Sequence, residues 1–307
     1  MNRPATELLR VAGGMAVGLA LAAAQAEVVF EKVTPYHNVQ VIDDGDLRIL
    51  CFDSAQQTRM SLLDPLTGHF EYTEFFHMPW LWNTNLTNIL MVGLGGASAQ
   101  RSYAHYYPEV TVETVEIDPT VLQVAQDYFQ FRQSPRQRVH LADGRVFLRR
   151  VPRKFDAICM DAYAENRYGS FVPRHLATKE FFELANAHLS TNGVLAYNVI
   201  GKWRSGRSDL VGALYKTLQS VFPQVYAFRA EDSENVVLLA TKWPHRWDFN
   251  ALNQRAGLLM SRRRITLPTF RNRLYAFQAA APLSLARSPV LTDDFAPVEG
   301  LIQTESH

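Results

Sequence analysis

The sequence predicts an α/β protein: a mostly parallel sheet wrapped by helices, with a small antiparallel β domain in front of it. Three observations predict this. The run 88–98, NILMVGLGGAS, is an apolar strand that enters a glycine-rich turn and then a helix. The run 111–119, TVETVEIDP, is a second strand that ends on a carboxylate, Glu116, about twenty residues past the turn. Beyond it, apolar runs of strand length alternate with helix-length segments.

The elements follow in order. Arg3 and Arg10 precede an uncharged apolar run, 11–26, that closes on the A-x-A pattern Ala24-Gln25-Ala26. Residues 1–26 therefore read as a secretory signal peptide cut before Glu27, too short for a membrane span. Export, periplasmic or beyond, follows, with no stable membrane span after cleavage. A misassigned start codon or an uncleaved amphipathic helix would instead leave the chain cytoplasmic. Residues 27–85 hold short strands at 28–33, 39–43, 47–52 and around 60–63, parted by turn residues such as Asp43-Asp44-Gly45-Asp46. They predict a β-rich cap.

Residues 86–245 predict a nucleoside-binding domain. Strand 89–94 leads to a helix near 97–107. Strand 110–117 leads to a helix opening at Asp118-Pro119, where Asp caps free N–H groups and Pro suits the first turn. Strand 138–142 ends at Asp143-Gly144, and strand 155–160 ends at Asp161. Helix 179–189, capped by Thr178, passes through Gly193 into strand 194–199, and helix 209–221 follows. The polar turn 229–235 joins strands 224–228 and 236–241 and is short enough to favour an antiparallel hairpin. A parallel sheet with one late antiparallel hairpin is the layout of class I methyltransferase-like, Rossmann-like folds. Residues 246–307 form a less regular C-terminal extension. Within it Arg262-Arg263-Arg264 reads as a solvated face, and the tail 291–299, LTDDFAPVE, either docks over the active-site mouth or is a plain loop.

Composition removes several function classes. A net charge of +1 over 307 residues, with no basic stripe, points away from nucleic acid as a partner. The two cysteines sit in the apolar runs LRILCF and AICM and read as buried thiols. Neither CxxC nor HExxH occurs, so no metal is expected.

Ligands of such sheets bind beyond the carboxyl ends of the strands. Four consecutive strand ends carry glycine or acid: Gly93/Gly95/Gly96, Glu116, Asp143-Gly144 and Asp161. Glycines let the backbone turn and approach a ligand. Glu116 can accept hydrogen bonds from both ribose hydroxyls, and Asp143 is placed to bond an adenine amine. Ser98 stands where a dinucleotide fingerprint has its third glycine, which favours S-adenosylmethionine or a relative over a pyrophosphate cofactor. Asp161, on the sulfonium side, can hold a cationic amine and accept the proton lost when nitrogen attacks.

These residues resemble the spermidine synthase (polyamine aminopropyltransferase) family, in its bacterial spermidine-synthase-like branch. The resemblance covers about 45–245. LRILCFDSAQQT resembles the family's strand-and-Gln element, carrying Gln57. GHFEYTEFFH resembles its Y-x-E…H element, with Tyr72, Glu74 and His77. MVGLGG, VEIDP, HLADGRVFL and FDAICMDAY follow, then SFVPRHLATKEFFELANAHLSTNGVLAYNV and LTDDFAPVE. The resemblance implies transfer of an aminopropyl group from decarboxylated S-adenosylmethionine to a small polyamine-type amine, with release of methylthioadenosine. It implies Asp161 as base, Gln57, Glu116, Asp143 and Gly144 around the nucleoside, Tyr72 at the amine, and a homodimer as the assembly.

The departures lie in the amine half. The family's donor-gripping aspartate is replaced by Gly96. A second aspartate of its catalytic loop is replaced by Ala164, with Glu165 next door as a substrate-binding candidate. The turn RAEDSENVV offers Glu231, Asp232 and Glu234 in place of a P-x-Y-P-x-G stretch. An S-adenosylmethionine-dependent methyltransferase and a non-catalytic nucleoside- or polyamine-binding protein are the alternatives.

Overall fold

A computed structural model of the chain describes residues 26–53, 55–166 and 169–301, with the side chains of 165, 166 and 169 outside that description. The proposed signal peptide, apart from Ala26, also lies outside it. Among the described residues no helix is long and apolar enough to cross a membrane.

Four antiparallel strands come first: β1 (Glu27–Val33), β2 (Asn38–Asp44), β3 (Leu47–Phe52) and β4 (Ala55–Ser61). The fourth begins well before the apolar stretch that predicted it. Its residues AQQTRMS are mostly polar and half-exposed, so hydropathy locates only its Met60 end. Val39, Val41, Leu50 and Met60 pack on Leu94, Ala97, Val124 and Phe129, which seats this sheet against the glycine turn.

The main sheet has seven strands in the order β12-β13-β11-β8-β5-β6-β7. β5 (Asn88–Val92), β6 (Thr111–Glu116), β7 (Gln137–Leu141), β8 (Phe155–Met160) and β11 (Leu189–Ile200) pair in parallel; β9 (Ala164–Asn166) and β10 (Gly169–Phe171) form a separate small hairpin. β13 (Asn235–Thr241) runs against both β11 and β12 (Gln224–Arg229), so the late antiparallel hairpin is present. This is the class I methyltransferase-like layout.

β5 is apolar at every core position because both faces of the sheet are covered. Leu90, Val92, Ile158 and Met160 join Phe181, Phe182 and Leu214 on one face. Ile89, Met91, Ala157 and Cys159 join Phe75, Phe76, Tyr103 and Leu252 on the other. Each Val, Leu, Ile, Phe or Met among them contributes about 1.5–3 kcal/mol through burial. Both cysteines are buried.

Caps set the helix starts. Asp118 accepts from Thr120 N–H at 2.8 Å ahead of α2 (Pro119–Tyr128), whose first residue is proline. Asp143 accepts from Val146 N–H at 2.8 Å ahead of α3 (Gly144–Arg150), Thr178 from Phe181 N–H ahead of α4 (Lys179–His188), and Asp209 from Gly212 N–H ahead of α5 (Leu210–Gln219). Helix α1 (Ser98–Tyr106) differs: Ala97 precedes it with φ +60° and no side chain caps it.

Among the described residues, two helices of three turns or more escape the sequence pattern. A 3₁₀ helix, Glu71–Leu81, is buried at Tyr72–Leu81 and contains Pro79, so it has no amphipathic period. In the C-terminal extension, α6 (Phe249–Ser261), capped by Asp248, places Leu252, Ala256 and Leu259 in the core beneath β5. The tail neither covers the site's mouth nor hangs as a plain loop. Asp293 takes a two-pronged ion pair from Arg145 (2.7 and 2.6 Å) and a hydrogen bond from Thr178 Oγ1 (2.7 Å), while Lys179 N–H donates to Leu291 O. These contacts hold Asp293's carboxyl at about 2, the Arg145 bonds being the main cause.

Candidate active site

The order of strands reverses at β5. The chain leaves β5 for β6 and β7 on one side and returns to β8 on the other. Ligands bind at such a switch point, above the carboxyl ends of the strands. A cleft of about 1080 Å³, its open mouth included, lies there.

Each wall of the cleft comes from a different element. Gly93, Leu94 and Gly95 follow β5, and Ser98, Ala99 and Gln100 open α1. Glu116 ends β6, Asp143 and Gly144 follow β7, and Asp161 follows β8. Gln57 and Thr58 reach in from β4, and Tyr72, Thr73 and Phe76 from the 3₁₀ helix. The structure thus brings Gln57, Tyr72, Gly93, Gly95, Glu116, Asp143, Gly144 and Asp161 around one cavity. Gly96 does not line it: its N–H donates to Thr58 Oγ1 at 2.9 Å, behind the wall. Glu165 lies in β9, and its side chain is outside the described residues.

Glu116 is buried and held by three backbone donors. Its Oε1 accepts from Ile117 N–H (2.7 Å) and Asp118 N–H (2.9 Å), and its Oε2 from Leu94 N–H (3.0 Å). Burial raises its pKa and outweighs these bonds, which lower it. A carboxylate offers about four lone-pair directions. Three backbone donors are already met within the protein. Asp143 is similarly engaged: Oδ1 caps α3 and Oδ2 meets His175 Nε2 at 2.7 Å.

Asp161 sits where β5 and β8 touch. Its N–H donates to Val92 O at 2.8 Å. Asn198 Nδ2 donates to Oδ1 at 2.8 Å, and Tyr72 O–H donates to Oδ2 at 3.1 Å. Asn235 in turn donates to Asn198 Oδ1 at 3.0 Å, which fixes the amide's orientation. Burial pushes Asp161's carboxyl up from 3.8 to about 6, against the downward pull of Asn198 and Tyr72. Burial first, and Asp161 second, push the Tyr72 hydroxyl well above its usual range, so it remains a donor at neutral pH. A carboxylate poised near 6, with both oxygens aimed by neutral donors, is suited to general-base work.

Sequence reasoning did not find Asn198, Asn235 or His175. An asparagine inside the apolar strand VLAYNVI was a usable signal, because a buried amide needs partners. His175 carried no local signal. Among the described residues no cluster of three or more His, Cys, Asp or Glu is placed to hold a metal ion.

Residues 69–230 match the family model described as spermine/spermidine synthase domain. The polyamine aminopropyltransferase of Vibrio vulnificus is 32% identical over 287 residues, covering 89% of this chain and 91% of that protein. The chain belongs to the spermine/spermidine synthase family. A probable spermidine synthase from Corynebacterium glutamicum has the same fold, with a TM-score of 0.61 and 18% identity over 75% of this chain and 87% of its own. Human methyltransferase-like protein 13 in complex with SAH gives a TM-score of 0.53 at 27% identity, over 63% of this chain and 90% of that one.

Gly96, where the family resemblance implies an aspartate, has no room for a side chain. A Cβ there would stand 2.6 Å from Thr58 Cγ2 and 2.8 Å from the buried ring of Phe129. The volume beside the backbone is already filled. Gly96→Asp, the residue the resemblance implies there, is expected to lower stability by about 2–4 kcal/mol through overpacking and an unpaired buried charge. It should not improve binding of the decarboxylated donor. Chemical denaturation and calorimetry of the variant check both outcomes.

Proposed function

We propose that this protein transfers an aminopropyl group from decarboxylated S-adenosylmethionine to a small amine. The observation that carries the proposal is Asp161, aimed by Tyr72 and Asn198 within the same cleft as Glu116 and Asp143. Glu116 accepts from the ribose hydroxyls, Gln57 and Gly144 line the nucleoside, and Asp143 meets the adenine amine in competition with His175. The acceptor's nitrogen attacks the propyl carbon bonded to sulfur. The new C–N bond forms as the C–S bond breaks, and the electron pair goes to sulfur and neutralises the sulfonium. Methylthioadenosine leaves, and Asp161 takes the proton from nitrogen. Tyr72 lines the amine's approach and keeps the carboxylate turned toward it. Confinement of both reactants beside one oriented base supplies much of the acceleration.

One observation favours a second reading, methyl transfer from S-adenosylmethionine itself. The start of α1 faces the cleft uncapped, with no acidic residue in its first turn, so it suits a donor tail that keeps its carboxylate. Calorimetry with the two donors, together with methylthioadenosine release in the presence of amines, decides between them. Tighter binding of the decarboxylated donor with release of methylthioadenosine is expected. Tighter binding of the intact donor, without that release, overturns the proposal.

A further inference from the structure

The tail 291–299, LTDDFAPVE, stands out in the sequence, yet the transfer chemistry does not use it. Its apolar anchors, Leu291 and Val298, are buried in the core of the main domain. Between them Asp293 has a partner at all four of its polar atoms. Its N–H donates to Glu180 Oε2 at 2.9 Å, and its backbone O accepts from Arg174 Nη2 at 2.9 Å. Oδ1 accepts from Arg145 Nη1 and Thr178 Oγ1, each at 2.7 Å, and Oδ2 from Arg145 Nη2 at 2.6 Å.

Asp293 does not line the cleft, but the segment it holds does, through Pro173, His175 and Leu176. Arg145 makes the link. It stands one residue past Gly144, and the same Nη1 that meets Asp293 also donates to His175 O at 3.1 Å. The His175 ring closes the circuit, with Nε2 at 2.7 Å from Asp143 Oδ2. A 3₁₀ helix of three residues, Arg174–Leu176, has too few internal bonds to hold a wall by itself. The Arg145 side chain is only 10% exposed, so neutralising Asp293 leaves a buried guanidinium poorly compensated and free to leave His175 O.

We infer that Asp293 is a positioning residue for the nucleoside: through Arg145 it holds the wall 173–176 beside Asp143 and Gly144, and so shapes the base end of the donor site. This rests on the reading of the cleft as a nucleoside site and applies to either donor. Coupling of this kind is reciprocal. If the tail's latch favours the nucleoside, the nucleoside tightens the latch by the same factor.

The probe is methylthioadenosine, the thionucleoside part common to both donors. Its binding to the intact protein is measured by calorimetry, and amide exchange across 291–298 is the second readout. Asp293→Asn is expected to weaken binding by about tenfold. Arg145→Lys, which keeps the charge but not the two-pronged fork, should weaken it in the same direction. Asp294→Asn, at the exposed neighbouring acid, should leave it unchanged. In the wild type the ligand should slow exchange across the tail, a response that a purely structural tail does not give. Unchanged affinity in a folded Asp293→Asn, or tail exchange indifferent to the ligand, overturns the inference and leaves the nucleoside site standing. Where Asp293→Asn does not fold, exchange in the wild type decides alone. No binding of methylthioadenosine to the wild type overturns the nucleoside reading, and this inference falls with it.

Discussion

Asp161→Asn is expected to lower methylthioadenosine release by about 10²–10⁴-fold, the usual contribution of a positioned base, while nucleoside binding persists. The pH dependence separates this from a merely structural effect. Two protons must be absent from the reactive complex: one from the acceptor amine, which in water titrates near 10 like lysine, and one from Asp161, which titrates at about 6. In the wild type, log kcat/KM should therefore climb with a slope of about two below pH 6 and about one above it. In Asp161→Asn the residual rate should keep a slope of about one throughout. A wild-type profile with no break near 6 would remove Asp161 from the role of base.

The same substitution should raise stability. A buried carboxyl whose pKa is higher in the folded state than in the unfolded chain favours folding only while it is protonated. Its stabilising effect is complete below about 4 and is lost as the pH rises through about 6. At pH 7.5 Asn is free of that penalty, of the order of 1–3 kcal/mol for a shift of about two units. At pH 4 wild type and variant should melt together. Thermal unfolding at the two pH values reads the difference, and a variant less stable than wild type at pH 7.5 would mean that the carboxylate is better satisfied than its burial implies.

The strand tips were legible because each one repeats the same local grammar. Glu116 and Asp161 each close a buried apolar strand, and Asp118 and Asp143 each cap the helix that follows. What was hidden depends on long-range pairing. Arg273 reaches Glu74 across 199 residues and Glu71 across 202, and no window of sequence encodes either contact. The acids of the turn 229–235 looked available for a substrate amine. Asp232 is instead consumed by Arg59, 173 residues away. The 3₁₀ helix was missed for the opposite reason: with both sides buried there is no polar face to reveal its period. The crowding at Gly96 is likewise long-range, since Thr58 and Phe129 fill the space beside it from distant parts of the chain.

Gly93→Ala should be the most damaging small substitution in the cleft. The residue has φ +102°, and an added Cβ would stand 2.1 Å from Asp161 O and 2.7 Å from its carbonyl carbon. Both are backbone atoms, so no side-chain rotation can relieve the contact. The neighbouring N–H bond from Asp161 to Val92 O ties the two strands together at the same level, and Met91 and Val92 pair with Cys159 and Met160 just below. Relief requires β8 to move away from β5, which carries the Asp161 carboxylate out of reach of Tyr72. Overpacking of about 1–3 kcal/mol adds to roughly 1–2 kcal/mol for the left-handed backbone. The melting temperature should fall by roughly 5–20 °C, and turnover by about 10²-fold beyond any loss of folded protein. Gly45→Ala is the control, since Gly45 also has a positive φ, +58°, but nothing within 4 Å of its added Cβ. It should show the backbone penalty alone, about 1 kcal/mol, with turnover intact. If the two variants lose the same stability and keep the same activity, the β5–β8 contact does not position the carboxylate.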